Sequence, residues 1–186
     1  DIVDQWNSAG NEMAVLTTYM TNLADKNYDS IRHKSRTLVR SIMCDYEYEW
    51  TGIMRHIKFN LQPQFSSKVE GSPQLHPFWA AGFSFGRGHF VVSIPYDHYL
   101  PFVFQGEEIL QTIRGFTYGY DFYAPMRNVA FHIYAMNENK EARENIPKFT
   151  ENESFFGKEV KSQSYSRLIG ISGTRGRPKD YFHLEE

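Results

Sequence analysis

"GEEILQTIRGFTYGYDFYAP" (106–125) changes its periodicity part-way along. Leu110, Ile113 and Thr117 recur at helical spacing. Glu107 and Glu108 open that run, where the positive end of a helix dipole favours acidic side chains. Gly119 suits a helix stop, and "YDFYAP" then alternates as a strand does. A helix that leads directly into a strand is one half of an α/β unit.

The rest of the chain extends that pattern. "AVLTTY" (14–19) is short, apolar and β-branched, and reads as a buried strand. Ahead of it, Ile2, Val3 and Trp6 sit at helical spacing before Gly10. "TLVRSIMCDYEYEW" (37–50) and "IMRHIKFNLQP" (53–63), separated by Thr51-Gly52, predict a strand pair joined by a turn. "HFVVSIP" (89–95) reads as a strand or strand edge, and "VAFHIYAM" (129–136) as a further strand. Residues 21–35 and 66–77 read as loops, 137–159 as loop or frayed helix, and 165–182 as a short helix followed by a basic, glycine-rich loop. Strands alternating with helices, plus a hairpin, predict an α/β fold with a mixed sheet.

With 186 residues the chain suits one domain, and 41% hydrophobic content excludes wholesale disorder. A net charge of −2 supplies no field to draw the domain to nucleic acid, so no nucleic-acid partner is expected. No apolar run approaches the roughly 20 residues of a membrane span, and no signal peptide opens the chain. One cysteine, Cys44, excludes an internal disulfide and any multi-cysteine zinc site, and favours a reducing, cytoplasmic setting. The chain opens on Asp1 rather than Met, so an upstream segment is expected.

The aromatic content of 16% is high enough to line a pocket for planar or sugar rings as well as to fill a core. Glu107 and Glu108 sit inside the ring-rich stretch, and two readings stand. They cap a helix, or Gly106 lets the backbone approach a ligand while a carboxylate and Gln105 meet its hydroxyls. His132 shares a strand face with Asn128, Ala130 and Tyr134, where a histidine is either structural or a metal ligand. "HPFWAAGFSFGRGHF" (76–90) places Ala80, Ala81 and Gly82 among Trp79, Phe83 and Phe85. These walls suit either a ligand ring or a tight core crossing.

Other motifs carry less. "TRGRPK" (174–179) has the core of a minor-groove hook but no basic patch around it, and equally suits a diphosphate or a solvated loop. The glycines fit neither a dinucleotide fingerprint nor a P-loop. Asn152 opens a glycosylation sequon. No Ser-His-Asp or Cys-His order is legible.

Taken together, "AAGFSFG", "IPYD", "LPFVFQGEEILQTIRGFTYGYDFYAP" and "FHIY", with the opening "DIVDQW" and "AVLTTY", resemble the GlcNAc-transferase family of nucleotide-sugar glycosyltransferases. The likeness covers most of residues 1 to 135. Members include a cytoplasmic enzyme that modifies hydroxyproline on a ubiquitin-ligase adaptor. The family is similar to the retaining GT-A transferases, in which a Gly-Gly-Glu-Asn segment binds the donor sugar and a later histidine completes a metal site.

The resemblance implies a GT-A-like fold and transfer of GlcNAc from a UDP-sugar donor to a hydroxyl on a protein or glycan acceptor. It also implies Mn²⁺ or another divalent cation. By resemblance, Gly106, Glu107 and Glu108 would hold the sugar, and His132 would bind the metal. Ala81 and Gly82 would lie beneath the donor, and Arg114 is a further matching position. The family's Asp-x-His metal motif lies before the segment matching "DIVDQW". Residues 1–186 are therefore expected to be the C-terminal part of one transferase domain, incomplete at the N-terminus and inactive alone. Two rivals remain. A glycoside hydrolase would pair Glu107 or Glu108 with Asp97 or Asp121 across about 5–10 Å. A non-catalytic carbohydrate-binding or interaction domain would use the rings to bind and the acids to cap.

Overall fold

A computed structural model describes residues 1–22, 39–49, 51–56, 59–63, 73–127, 129–132 and 155–173. Helix α1 (Ile2–Ser8) starts at Asp1, whose carboxylate accepts the Asp4 N–H while Asp4 reaches back to the Asp1 amine. This reciprocal cap satisfies donors that a helix start leaves orphaned. Trp6 is the buried residue of α1, and its indole N–H donates to Ala14 O at 2.7 Å.

Ala14 begins β1 (Ala14–Thr17), which is buried along its whole length. Side chains alternate across a strand, so full burial means cover on both faces. Ala14 and Leu16 pack with Trp6 on one side. Val15 packs with Trp79, Phe90, Ile94, Tyr120 and Phe122 on the other.

After β2 (Thr21–Asn22), the expected hairpin forms in two pieces. Strand β3 (Val39–Met43) pairs antiparallel with β6 (Phe59–Pro63), and β4 (Tyr46–Tyr48) with β5 (Met54–His56). Its turn falls at Thr51-Gly52, with Gly52 at φ +80° donating its N–H to Glu49 O at 2.8 Å. Short strands β7 (Gln74–Leu75) and β8 (Ser84–Gly86) precede two helices, α2 (Gly88–Ser93) and α3 (Glu107–Thr117). Then come β9 (Asp121–Ala124), β10 (Phe131–His132) and α4 (Phe155–Ser172).

The main sheet runs β7-β9-β1-β8. Strand β1 is parallel to β9, with Val15 opposite Phe122, and antiparallel to β8, with Leu16 opposite Phe85. Parallel and antiparallel pairs in one sheet, with helices around it, make the fold α/β with a mixed sheet, as expected. Among the described residues, no helix is long and apolar enough to cross a membrane.

Several local expectations need correction. "HFVVSIP" is mostly the helix α2, because Phe90 and Ile94, one turn apart, are buried together while Val91 and Val92 are 69% and 82% exposed. The buried face of α3 carries Ile109, Leu110, Gln111, Thr112 and Gly115. Thr117 is exposed, so the expected stripe is rotated. The predicted loop at 66–77 contains β7 at Gln74–Leu75, and the loop at 21–35 opens with β2. The helix expected within 165–182 is present but longer, since α4 already starts at Phe155, in the stretch read as loop or frayed helix. The basic loop 174–179 and the Asn152 sequon lie outside the described residues.

Helix α3 packs on β9 at Gly115. A Cβ there would stand 2.5 Å from Phe122 Cζ and 3.4 Å from Phe90 Cε2. Alanine gains about 1 kcal/mol in helix propensity over glycine. Overpacking a filled core costs about 1–3 kcal/mol. Gly115→Ala is therefore expected to lower the thermal unfolding midpoint, and Phe122→Leu in the same chain to recover part of the loss.

Candidate functional site

The start of α3 depends on a glycine. Gly106 is the helix N-cap at φ +91°, a left-handed conformation that L side chains rarely adopt. A Cβ there would lie 2.6 Å from Ile53 Cγ2 and 3.1 Å from Leu168 Cδ1. The close approach that Gly106 permits is thus to the β4–β5 hairpin and to α4. A ligand at Gly106, one of the two expectations from the sequence, is not what fills that space. Gln105, just before it, is half-buried.

Glu108 points into the protein. Its Oε2 accepts the Tyr19 hydroxyl at 2.5 Å and lies 2.8 Å from His56 Nε2, while Oε1 accepts the Ala81 N–H at 2.7 Å. The His56 approach is a close contact more than a well-aimed hydrogen bond. Thr112, one turn on, donates its hydroxyl to Glu108 O and accepts the Trp79 N–H, each at 2.8 Å. Burial pushes the Glu108 carboxyl up, but the His56 and Tyr19 contacts and the Ala81 N–H outweigh it and hold the group below the usual carboxylate range.

Glu107 faces a different environment. Its Oε2 is buried without a hydrogen-bond partner. Burial raises its pKa to about 7, against the pull of its own backbone N–H and with help from the Glu108 charge. The side chain lines a cleft of about 260 Å³ with Tyr96, Asp97, Leu100, Val103, Phe104, Leu110 and Gln111. Tyr96 and Phe104 are each more than half exposed and stand as ring walls. Gln111, also in the lining, donates its amide N–H to Ile94 O at 2.6 Å.

The cleft's other acid is already engaged. Asp97 is paired with Arg167 of α4 at 2.8 Å and accepts the Tyr99 N–H at 3.0 Å. Burial raises its pKa, but these partners and the Arg114 charge bring it below the usual range. Arg114 itself donates to Pro95 O. Phe102, in the same segment, sits at φ 60°, an uncommon conformation for a phenylalanine.

Ala81 and Gly82 form an exposed turn beside Glu108 and do not line the cleft. The rings expected as common walls beside them separate. Trp79 belongs to the core under α2, while Phe83 and Phe85 pack toward Trp6. His132 lies on β10, paired in parallel with β2, and does not line the cleft either. Among the described residues no three His, Cys, Asp or Glu side chains converge as a metal ion requires. Asp121, one candidate partner in a hydrolase, accepts the Asn11 amide at 2.8 Å. Tyr96, Phe104 and Gln111 lay within the ring-rich stretch but were not singled out. Tyr19 and His56 carry no local signal, because they meet Glu108 only through the fold.

A family model described as glycosyltransferase (GlcNAc) matches residues 1–169. The chain belongs to the GlcNAc glycosyltransferase family. A search of curated proteins gave no match. Membership makes the chain a sugar transferase, with a sugar donor and an acceptor as its reactants. For a GlcNAc glycosyltransferase, a ring-walled cleft with an unpartnered carboxyl is a chemically suitable place to meet hydroxyl groups.

The opposed environments of the two glutamates have opposite consequences for stability. Glu107 keeps its proton in the folded chain up to about pH 7, whereas the unfolded group loses it near 4.5. The stability it contributes is complete below the lower value and is lost as pH rises through the upper one. Glu108 is depressed, so its contribution is present above its unfolded value and is lost as pH falls. Denaturant midpoints measured between pH 4.5 and 7 are expected to fall with pH in the wild type, and Glu107→Gln is expected to flatten that slope.

Proposed function

We propose that the cleft beside Glu107 receives the sugar of a nucleotide-sugar donor. On this reading the chain transfers GlcNAc from UDP-GlcNAc to a hydroxyl on a protein or glycan, with retention at the anomeric carbon. The observation that carries the proposal is the buried, unpartnered Glu107 Oε2 in a ring-walled cleft, within a chain of the GlcNAc glycosyltransferase family. A buried oxygen without a partner is costly, and a ligand hydroxyl would satisfy it.

Each lining group has a distinct part. Tyr96 and Phe104 offer faces on which a pyranose ring packs and from which it displaces water. Glu107 accepts a hydrogen bond from a sugar hydroxyl when ionised and donates one when protonated, and its pKa near 7 makes both forms available at neutral pH. Gln111 adds a polar side chain to the lining. Asp97, held by Arg167, fixes the 96–100 side of the cleft. Together these groups restrain the sugar, and orientation of this kind lowers the barrier to attack.

A GT-A-like arrangement is part of the proposal, supported by the mixed sheet around β1 and the helix start at the cleft. So is a divalent cation, which would supply charge neutralisation for the leaving diphosphate. His132 is the proposed ligand. The described residues bring no set of ligands to it, so no step is derived through the ion.

The test is turnover of UDP-GlcNAc by the full-length protein with Mn²⁺ and a hydroxyl-bearing acceptor. Glu107→Gln is expected to cut kcat/KM by about 10- to 100-fold, the range set by hydrogen bonds to charged groups. His132→Ala is expected to weaken the Mn²⁺ dependence. Unchanged turnover in both variants would remove the proposed site.

A further inference from the structure

Helix α3 lacks the usual fixing device at its start. Its N-cap is Gly106, which has no side chain to accept a backbone N–H. Glu108, in the first turn, instead ties the helix start to other parts of the chain, and two residues far away in sequence hold it. Tyr19, just past β1, and His56, on β5, converge on the same Glu108 oxygen at 2.5 and 2.8 Å. Their rings also meet edge to face, with centroids 4.8 Å apart. The His56 side chain is 3% exposed, and neither residue lines the cleft.

Successive side chains on a helix diverge by about 100°. Once Glu108 is locked against Tyr19, His56 and Ala81, the direction of Glu107 follows. We propose that His56 and Tyr19 are positioning residues for Glu107, acting through Glu108. They fix the first turn of α3 and so the direction from which the Glu107 carboxyl enters the cleft. The inference rests on Glu107 being the group that meets the sugar.

The same contacts keep a fixed negative charge one residue from Glu107. The other titratable groups around the pair are Tyr96 and Asp97 from the segment after α2, with Arg114 of α3 and Arg167 of α4 acting on Asp97. Of these, Tyr96 feels the charge of both glutamates, and none of them makes a hydrogen bond to the Glu108 carboxylate.

The experiment compares His56→Leu, His56→Gln and Tyr19→Phe in the full-length protein. Two readouts are taken: kcat and KM for UDP-GlcNAc, and the Glu107 titration midpoint followed by carboxyl carbon NMR. Supporting groups of this kind typically cost about 10- to 100-fold when removed. His56→Leu is expected to lower kcat by about tenfold or more with KM changed less than about threefold. It is also expected to move the Glu107 midpoint down from about 7, as Glu108 swings away from its fixed position. His56→Gln retains an N–H donor and is expected to restore most of both. If His56→Leu does not fold, Tyr19→Phe, which removes one hydroxyl, carries the same test.

Unchanged kcat and midpoint in His56→Leu and Tyr19→Phe would overturn the inference. So would equal losses in His56→Leu and His56→Gln that track a fall in melting temperature, since that marks a general structural role. If the wild type does not turn over UDP-GlcNAc, the functional reading fails separately, and the NMR midpoint alone decides the positioning role.

Discussion

One largely buried carboxylate joins the main sheet, the β4–β5 hairpin and the start of α3. Glu108 reaches the end of β1 through Tyr19, the β4–β5 hairpin through His56 and the 78–81 segment through the Ala81 N–H. Among the described residues, β4 and β5 pair with each other and not with the main sheet, so side chains contribute to holding the hairpin on the rest. Apolar contacts supply part of that attachment, with Ile53 packed on Val103, Leu110 and Leu168. Such contacts are tolerant of sliding, whereas a carboxylate that accepts the Tyr19 hydroxyl and the Ala81 N–H, with His56 close by, restricts the arrangement. A buried charge left unpaired would be strongly unfavourable, so the three partners are needed together.

Adjacent glutamates with opposite properties follow from that arrangement. Glu108 turns toward donors and stays ionised, while Glu107 turns toward a cleft that offers its Oε2 no partner and holds its proton to about pH 7. Intrinsic chemistry is the same in both, so environment alone separates them. Burial acts on each, and only the presence or absence of compensating donors decides its sign. Division of this sort gives a site one fixed charge and one adjustable hydrogen-bonding group within a single helical turn.

Helix α4 supports the cleft from outside its lining. Arg167 holds Asp97, and Ser164 donates its hydroxyl to Pro101 O at 3.0 Å, so the segment between α2 and α3 is tied down at two points between Tyr96 and Phe104. Leu168, on the same helix, would stand 3.1 Å from a Gly106 Cβ, with Ile53 nearer still. The glycine that starts α3 therefore serves packing.

The alternation of residues 106–125 was enough to give a helix followed by a strand, and β1 was legible from its unbroken apolar run, since local periodicity is a property of the chain itself. The mixed α/β class followed from the order of such segments, and the ring-rich stretch around Glu107 marked the region of the cleft. Helix α2 was misread because Val91 and Val92 favour strands, and only the core contact of Phe90 and Ile94 overrides that preference. The face of α3 was misread for a related reason: its register against β9 is set by the glycine–ring contact at Gly115. Sequence alone named both glutamates but gave no means of telling them apart. Tertiary structure decided that, because Tyr19 and His56 lie far from Glu108 along the chain and meet it only when β1, the hairpin and α3 pack together.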